Sequence, residues 1–204
     1  MQSVKHKKQV NIKEAMDVPP PPPSIHFDEP AAIVHKVSKP ATDFKSFYQA
    51  SFMPTPGFIN YIKSVENSTH TGFKHGLWHP HKSVEGGTDT IAYGHKLHPG
   101  DNFSKGLTDE EATKLLIRDI MKASETAKHI VNKTYGAGTF EKLPNKSKEM
   151  LVDFAFNGVI NKFPQFIDGV INNDTNTMMA QYKRHSNGKE LTGRNTAFAK
   201  RYFN

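Results

Sequence analysis

Residues 66–95, ENSTHTGFKHGLWHPHKSVEGGTDTIAYGH, carry the reading that decides the fold. They open on Glu66 and close on the string Thr90-Ile91-Ala92-Tyr93-Gly94-His95. Just upstream, Pro56 suits a first helical position, and Phe58, Ile62 and Val65 recur at i, i+4 and i+7. This spacing predicts a short helix whose C-terminal end delivers Glu66. Residues 67–100 are rich in Gly, His, Ser and Thr. Trp78 and Thr88–Ile91 read as strand pieces, and Glu85-Gly86-Gly87 as a turn. The acid therefore ends a helix and is followed by a small β-hairpin or sheet.

Downstream the pattern is helical. Thr108-Asp109-Glu110-Glu111 is a capping-box sequence, with Thr at the cap and Glu three residues later. Leu116, Ile120, Ala123 and Ala127, with Leu115 beside them, line one face of a long helix reaching about Asn132. Tyr135-Gly136-Ala137-Gly138 breaks it. Further helices are predicted over about Lys146–Asn157 with Met150, Leu151 and Phe154 inward, and from Phe163-Pro164 with Phe166, Ile167, Val170 and Ile171. Another runs from Asp174 to Ser186 around Met178, Met179 and Tyr182, and the last from Thr192 to Phe203. Asn187-Gly188 separates these two. The fold class is α+β, mainly α, with a small β-hairpin lobe beside a helical lobe.

Composition shifts near residue 50. Residues 1–50 hold seven of the thirteen prolines, five of them consecutive from Pro19 to Pro23. Such a run has no backbone donors and favours polyproline II. Residues 1–50 thus read as an extended arm or linker, a possible docking segment for a larger assembly, and residues 51–204 as the folded domain. No apolar run follows Lys5, Lys7 and Lys8, so no signal peptide is expected. No apolar stretch is long enough to predict membrane insertion. With no Cys there is neither a disulfide framework nor a thiolate metal site. Lys and Arg outnumber Asp and Glu by 27 to 20, giving a net charge of +7. That favours polyanions at long range. The charge is scattered, without a basic helix or aromatic-interleaved stripe, so nucleic acid is not the expected ligand.

On position alone Glu66 reads as an ordinary exposed acid near a helix end. Its wider context changes that reading. The order Glu66, then Thr90-Ile91-Ala92-Tyr93-Gly94-His95, then Gly106-Leu107-Thr108-Asp109-Glu110-Glu111-Ala112 resembles the phage-type lysozymes, or muramidases. Those enzymes carry a Glu after the first helix, a Thr-Ile-Gly-Tyr-Gly-His-like hairpin and a Leu-Thr-x-x-Glu-Ala helix start. Leu151–Asn157 is similar to their central buried helix, and Leu191-Thr192-Gly193-Arg194-Asn195 to their closing, Arg-bearing helix start. The resemblance covers about residues 57–203 and implies cleavage of the glycan strands of bacterial peptidoglycan, without metal or cofactor.

The resemblance makes Glu66 the general acid and Thr90 a residue that positions the attacking water. His95 becomes a packing and hydrogen-bonding residue of the substrate site, and Arg194 a partner for Glu66 or its helix, with Asn195 aligning about as well. Asn157 either presents its amide to the cleft or caps its helix before Gly158. Glycoside hydrolysis also calls for a second group to steer water or stabilise the oxocarbenium-like transition state. The family's Asp lies about nine residues after the Glu and six before the Thr; here Glu66 and Thr90 are twenty-four apart, and counting back from Thr90 lands on Val84 or, with one insertion, Ser83. The nearby acids are Glu85, preferred for its place before the Gly-Gly turn, and Asp89. Asp89 adjoins Thr90 and in a regular strand points to the opposite face. A third option is that Glu66 acts without either.

His75, His79 and His81 form an H-x-x-x-H-x-H series that invites a zinc reading. No His is followed four residues later by Asp, as a wall metallopeptidase would have, and solvated loop histidines are the plainer reading. Trp78 suits either a sugar-stacking face or a core anchor. The readings of the whole are a virion or tail-associated lysozyme bound to other virion proteins through its arm, a free endolysin released from the infected cytoplasm, a structural virion protein with an inactive lysozyme-like domain, or a lytic transglycosylase.

Overall fold

The computed structural model describes residues 51–83, 88–186 and 188–204. The arm of residues 1–50 and the turn holding Glu85 lie outside the described residues. Helix α1 spans Pro56–Glu66. Thr55 caps it, accepting from the Phe58 N–H while its hydroxyl donates to Glu149. Phe58 and Ile62 are fully buried on its inner face, and Glu66 is its last residue.

Next come β1 (Phe73–Lys74) and β2 (Leu77–Trp78), paired antiparallel, and then β3 (His81–Lys82), β4 (Asp89–Ile91) and β5 (His95–Lys96). The last three form an antiparallel sheet with His81 opposite Thr90 and Ile91 opposite His95. The Thr90–His95 string is therefore β4, a turn and the start of β5. Ala92 holds φ 54° in that turn, where the lysozyme pattern has Gly, and Gly94 holds φ 84°.

Helix α2 (Asp109–Tyr135) starts at the predicted capping box: Thr108 accepts from the Glu111 N–H, and Glu111 accepts from the Thr108 N–H. It ends at Tyr135, three residues beyond the expected stop, with Gly136 as its C-cap. Leu115, Leu116, Ile120, Ala123, Ala127 and Val131 bury its inner face, chiefly against α4 (Asn145–Phe156), with the short helix α3 (Thr139–Lys142) between them in sequence. Met150, Leu151, Val152 and Phe154 are all buried, so α4 runs through the centre with no solvent face along that stretch. It closes in a Schellman turn. The Val159 N–H reaches the Phe154 carbonyl, the Gly158 N–H reaches the Ala155 carbonyl, and Gly158 is left-handed at φ 71°.

A 3-10 turn (Ile160–Lys162) leads to α5 (Pro164–Ile171) and α6 (Thr175–Gln181). The expected helix over Asp174–Ser186 is thus cut short. His185–Ser186 (β6) instead pairs with Lys189–Glu190 (β7) before α7 (Thr192–Tyr202). The physical reason is Arg184. Its side chain is wholly buried on Asp153, and its backbone N–H and carbonyl are both held by the Asn195 amide. Continuing α6 through Arg184 would surrender those bonds. Met179, expected inward, is exposed, whereas Met178 is buried. Phe154, Phe166, Phe198 and Tyr202 form an aromatic core on which Tyr182 and Phe203 pack. Among the described residues no helix is long and apolar enough to cross a membrane.

Candidate active site

The C-terminal end of α1 brings Glu66 against the turn between β4 and β5. A Cβ on Gly94 would stand 3.4 Å from Glu66 Oε2, so the missing side chain leaves room at the carboxyl. Asn67, the next residue, fixes this approach. Its side-chain N–H2 donates to the carbonyls of Thr71 (2.9 Å) and Ala92 (2.8 Å), and its oxygen accepts from the Thr71 N–H. One amide thus ties the end of α1 to both the following loop and the β4–β5 turn.

The second anchor is Asp109, the first residue of α2. Oδ1 accepts from Trp78 Nε1 (3.1 Å) and Tyr93 Oη (2.5 Å), and Oδ2 meets Lys63 Nζ at 3.1 Å. Trp78 is only 2% exposed, so it is the core anchor of the two readings and not an open sugar-stacking face. Asp109 thereby joins α1, β2, the β4–β5 turn and α2.

Glu66 Oε1 receives Arg194 Nη1 at 2.5 Å, and Arg194 Nη2 donates to Asp153 Oδ1 at 2.8 Å. Asp153 Oδ2 accepts from Arg184 Nη2 and from Tyr61 Oη, each at 3.0 Å. The candidate acid thus heads an alternating row of Glu66, Arg194, Asp153 and Arg184. Burial pushes the Glu66 carboxyl above the ordinary carboxylate range; Arg194 draws it back and the Asp153 charge raises it again. Burial would raise Asp153 too, but Arg194, Arg184 and their hydrogen bonds outweigh it and hold Asp153 low. Sequence reasoning missed Asp153. The available signal was an acid inside the apolar run Met150–Phe154, where a solvated side chain has no place.

The remaining candidates divide. Thr90 is buried, its hydroxyl 3.4 Å from both the His81 carbonyl and His81 Nε2. Asp89, one residue earlier, is exposed and paired with Lys82 at 2.9 Å, so the strand alternation separates the two. Glu85 lies outside the described residues. His95 turns to α2, its Nδ1 2.7 Å from Asp119 and its Nε2 3.9 Å from Asp101, so its polar contacts do not go to Glu66. Asn157 is the C-cap of α4, with its side-chain oxygen buried and unpaired. Of the two residues considered for the Glu66 contact, Arg194 makes it, whereas Asn195 is occupied by Arg184 and Glu190. Among the described residues no three His, Asp or Glu side chains are grouped to hold a metal; His81 Nδ1 lies 3.2 Å from the His79 carbonyl.

The chain matches the phage lysozyme family over residues 72–197, more than half its length. That span includes Asp89, Thr90, His95, Asn157 and Arg194, and starts six residues after Glu66. A solved structure, the muramidase domain of SpmX from Asticaccaulis excentricus, is similar at 20% identity, covering 75% of this chain and 99% of that chain with a TM-score of 0.47. No curated protein matches the chain.

Proposed function

The chain belongs to the phage lysozyme family, and from that membership we propose that it hydrolyses the glycan strands of bacterial peptidoglycan, with Glu66 as the general acid. The observation that carries this reading is the Glu66 carboxyl itself: at a helix end, against a side-chain-free Gly94, raised by burial and backed by a guanidinium. A raised carboxyl holds its proton to higher pH than an ordinary one and can give it to the glycosidic oxygen as the bond to the anomeric carbon lengthens. Arg194 then stabilises the carboxylate left behind. Thr90, with Glu85 as the second acid, holds the water that attacks the opposite face; Asp89, turned away from Thr90 on β4 and paired with Lys82, does not share it. Carboxyls about 6.5–9.5 Å apart would give inversion at that carbon. The net charge of +7 favours encounter with an anionic wall.

In this reading the Pro-rich residues 1–50 tether the enzyme to a virion, so that it opens the wall locally at the tail. Immunoblotting of purified particles tests that placement; signal only in the lysate would mean a free endolysin. One observation favours a second reading, an inactive structural domain: Val84 and Ser83 stand where counting back from Thr90 puts the family's second carboxylate. Dye release from labelled peptidoglycan separates the two. The wild type should release dye and Glu66→Gln should not; a folded wild type that releases none would favour the structural reading.

A further inference from the structure

We infer that Asp153 is a positioning residue for the candidate acid: it holds one arm of the Arg194 guanidinium and so sets both the orientation and the net charge that Glu66 meets. The inference rests on Glu66 being the general acid. Arg194 alone would be an awkward neighbour for an acid catalyst. A guanidinium 2.5 Å from a carboxyl favours the ionised form and would strip Glu66 of the proton it has to deliver. Asp153 offsets this. It accepts Arg194 Nη2 through Oδ1, is wholly buried, and is fixed through Oδ2 by Arg184 and Tyr61. The guanidinium is therefore shared between two carboxyl groups, its plane aimed by the one that Arg184 and Tyr61 hold in place.

The groups around Glu66 can be counted by element. From α1 comes Tyr61, bound to Asp153; from α4, Asp153; from the segment before β6, Arg184; from α7, Arg194, with Tyr202 also sensing the Asp153 charge. The β4–β5 turn contributes the uncharged Gly94, and His95 beyond it is engaged with Asp119. With Glu66 ionised, the Glu66–Arg194–Asp153–Arg184 set is neutral; with Glu66 protonated, it carries +1. Removing the Asp153 charge moves those totals to +1 and +2, which favours the ionised, useless form. Among the described residues Arg184 has no other ionic partner: its Nε and Nη1 are buried without a hydrogen bond, and its Cζ lies 4.3 Å from the Phe154 ring centroid. Replacing Asp153 and Arg184 together therefore restores the original totals.

That symmetry supplies the test. The Glu66 carboxyl is titrated by carbon-13 NMR in wild type, Asp153→Asn, Arg184→Met and the double variant, with a thermal melt of each. The pH profile of peptidoglycan cleavage is measured alongside. The Glu66 midpoint and the alkaline limb of cleavage should move to lower pH in Asp153→Asn, to higher pH in Arg184→Met, and back toward wild type in the double variant. A purely structural Asp153 would change the melts without this sign pattern. Should Asp153→Asn fail to fold, Arg184→Met and the charge-restored double variant still decide. Midpoints that stay at the wild-type value, or that follow stability and not charge, overturn the inference. Charge-following midpoints in a wild type that cuts no glycan keep the electrostatic role and overturn the muramidase reading instead.

Discussion

Replacing Asp109 with alanine removes the acceptor on which three elements converge. Trp78 Nε1 loses its partner in a buried site, a desolvated donor costing about 1–2 kcal/mol. Tyr93 Oη loses a second bond, worth about 1 kcal/mol. The Lys63 pair contributes little, about 0.5 kcal/mol, because the Asp109 side chain is 55% exposed. A negative charge at the first turn of α2 adds about 0.5 kcal/mol, roughly offset by the better helix propensity of alanine. The sum is about 3 kcal/mol, and at roughly 2–4 °C per kcal/mol the melting temperature should fall by about 6–12 °C. Calorimetry or urea denaturation reads it. Asp109→Asn keeps an oxygen for Trp78 and should lose only about 1 kcal/mol. Cleavage by Asp109→Ala should fall further than its stability loss explains, because Tyr93 sits in the turn facing Glu66. Asp109→Ala within about 0.5 kcal/mol of wild type, or Asp109→Asn equally damaging, would refute the idea of a hydrogen-bonded hub.

Asn67→Ala removes three bonds joining α1 to the loop and turn beyond it, and should cost about 2–3 kcal/mol in denaturant unfolding. Gly94→Ala forces a methyl into a left-handed backbone at a cost of about 1–2 kcal/mol. The same methyl stands 3.4 Å from Glu66 Oε2, so kcat should drop in a variant that remains folded; unchanged kcat would argue against a substrate oxygen approaching there. Because burial raises Glu66 in the folded state, its contribution to stability is full below the unfolded value of about 4.3 and is lost as pH rises through the folded value. Wild-type stability measured against Glu66→Gln should therefore decline across that window and be flat on either side. A difference independent of pH, or one that rises, contradicts a raised Glu66.

Much of the fold was legible because its signals are local. Pro56 after Thr55, the Thr108–Glu111 box and Gly136 mark helix ends through bonds made within four residues. The buried faces of α2 and α5 follow from apolar spacing alone. What escaped was decided over distance. Arg184 looks like a helix residue until Asp153, 31 residues away, claims its guanidinium, and that claim ends α6 and frees β6. Asp153 stands out inside its apolar run, but the partners that explain it, Arg184 and Arg194, arrive only later in the chain. In the candidate site, Glu66 and Arg194 were found through the resemblance, and Arg194 does contact Glu66 across 128 residues. His95, expected as a packing and hydrogen-bonding residue, meets Asp119 on α2, a partner that has no local signature in the sequence. Asn67 was passed over, although it alone bonds α1's end to the Ala92 carbonyl of the turn. Amides of that kind have no periodic signature.

The central claim is that Glu66 protonates a glycosidic oxygen and water completes the cleavage. Digesting purified peptidoglycan with wild type and Glu66→Gln, then identifying the fragments by mass spectrometry, tests it most directly. New reducing ends made by wild type alone are the predicted result. Anhydro ends would mean transglycosylation by the same acid, and intact glycan from a folded wild type would contradict the account.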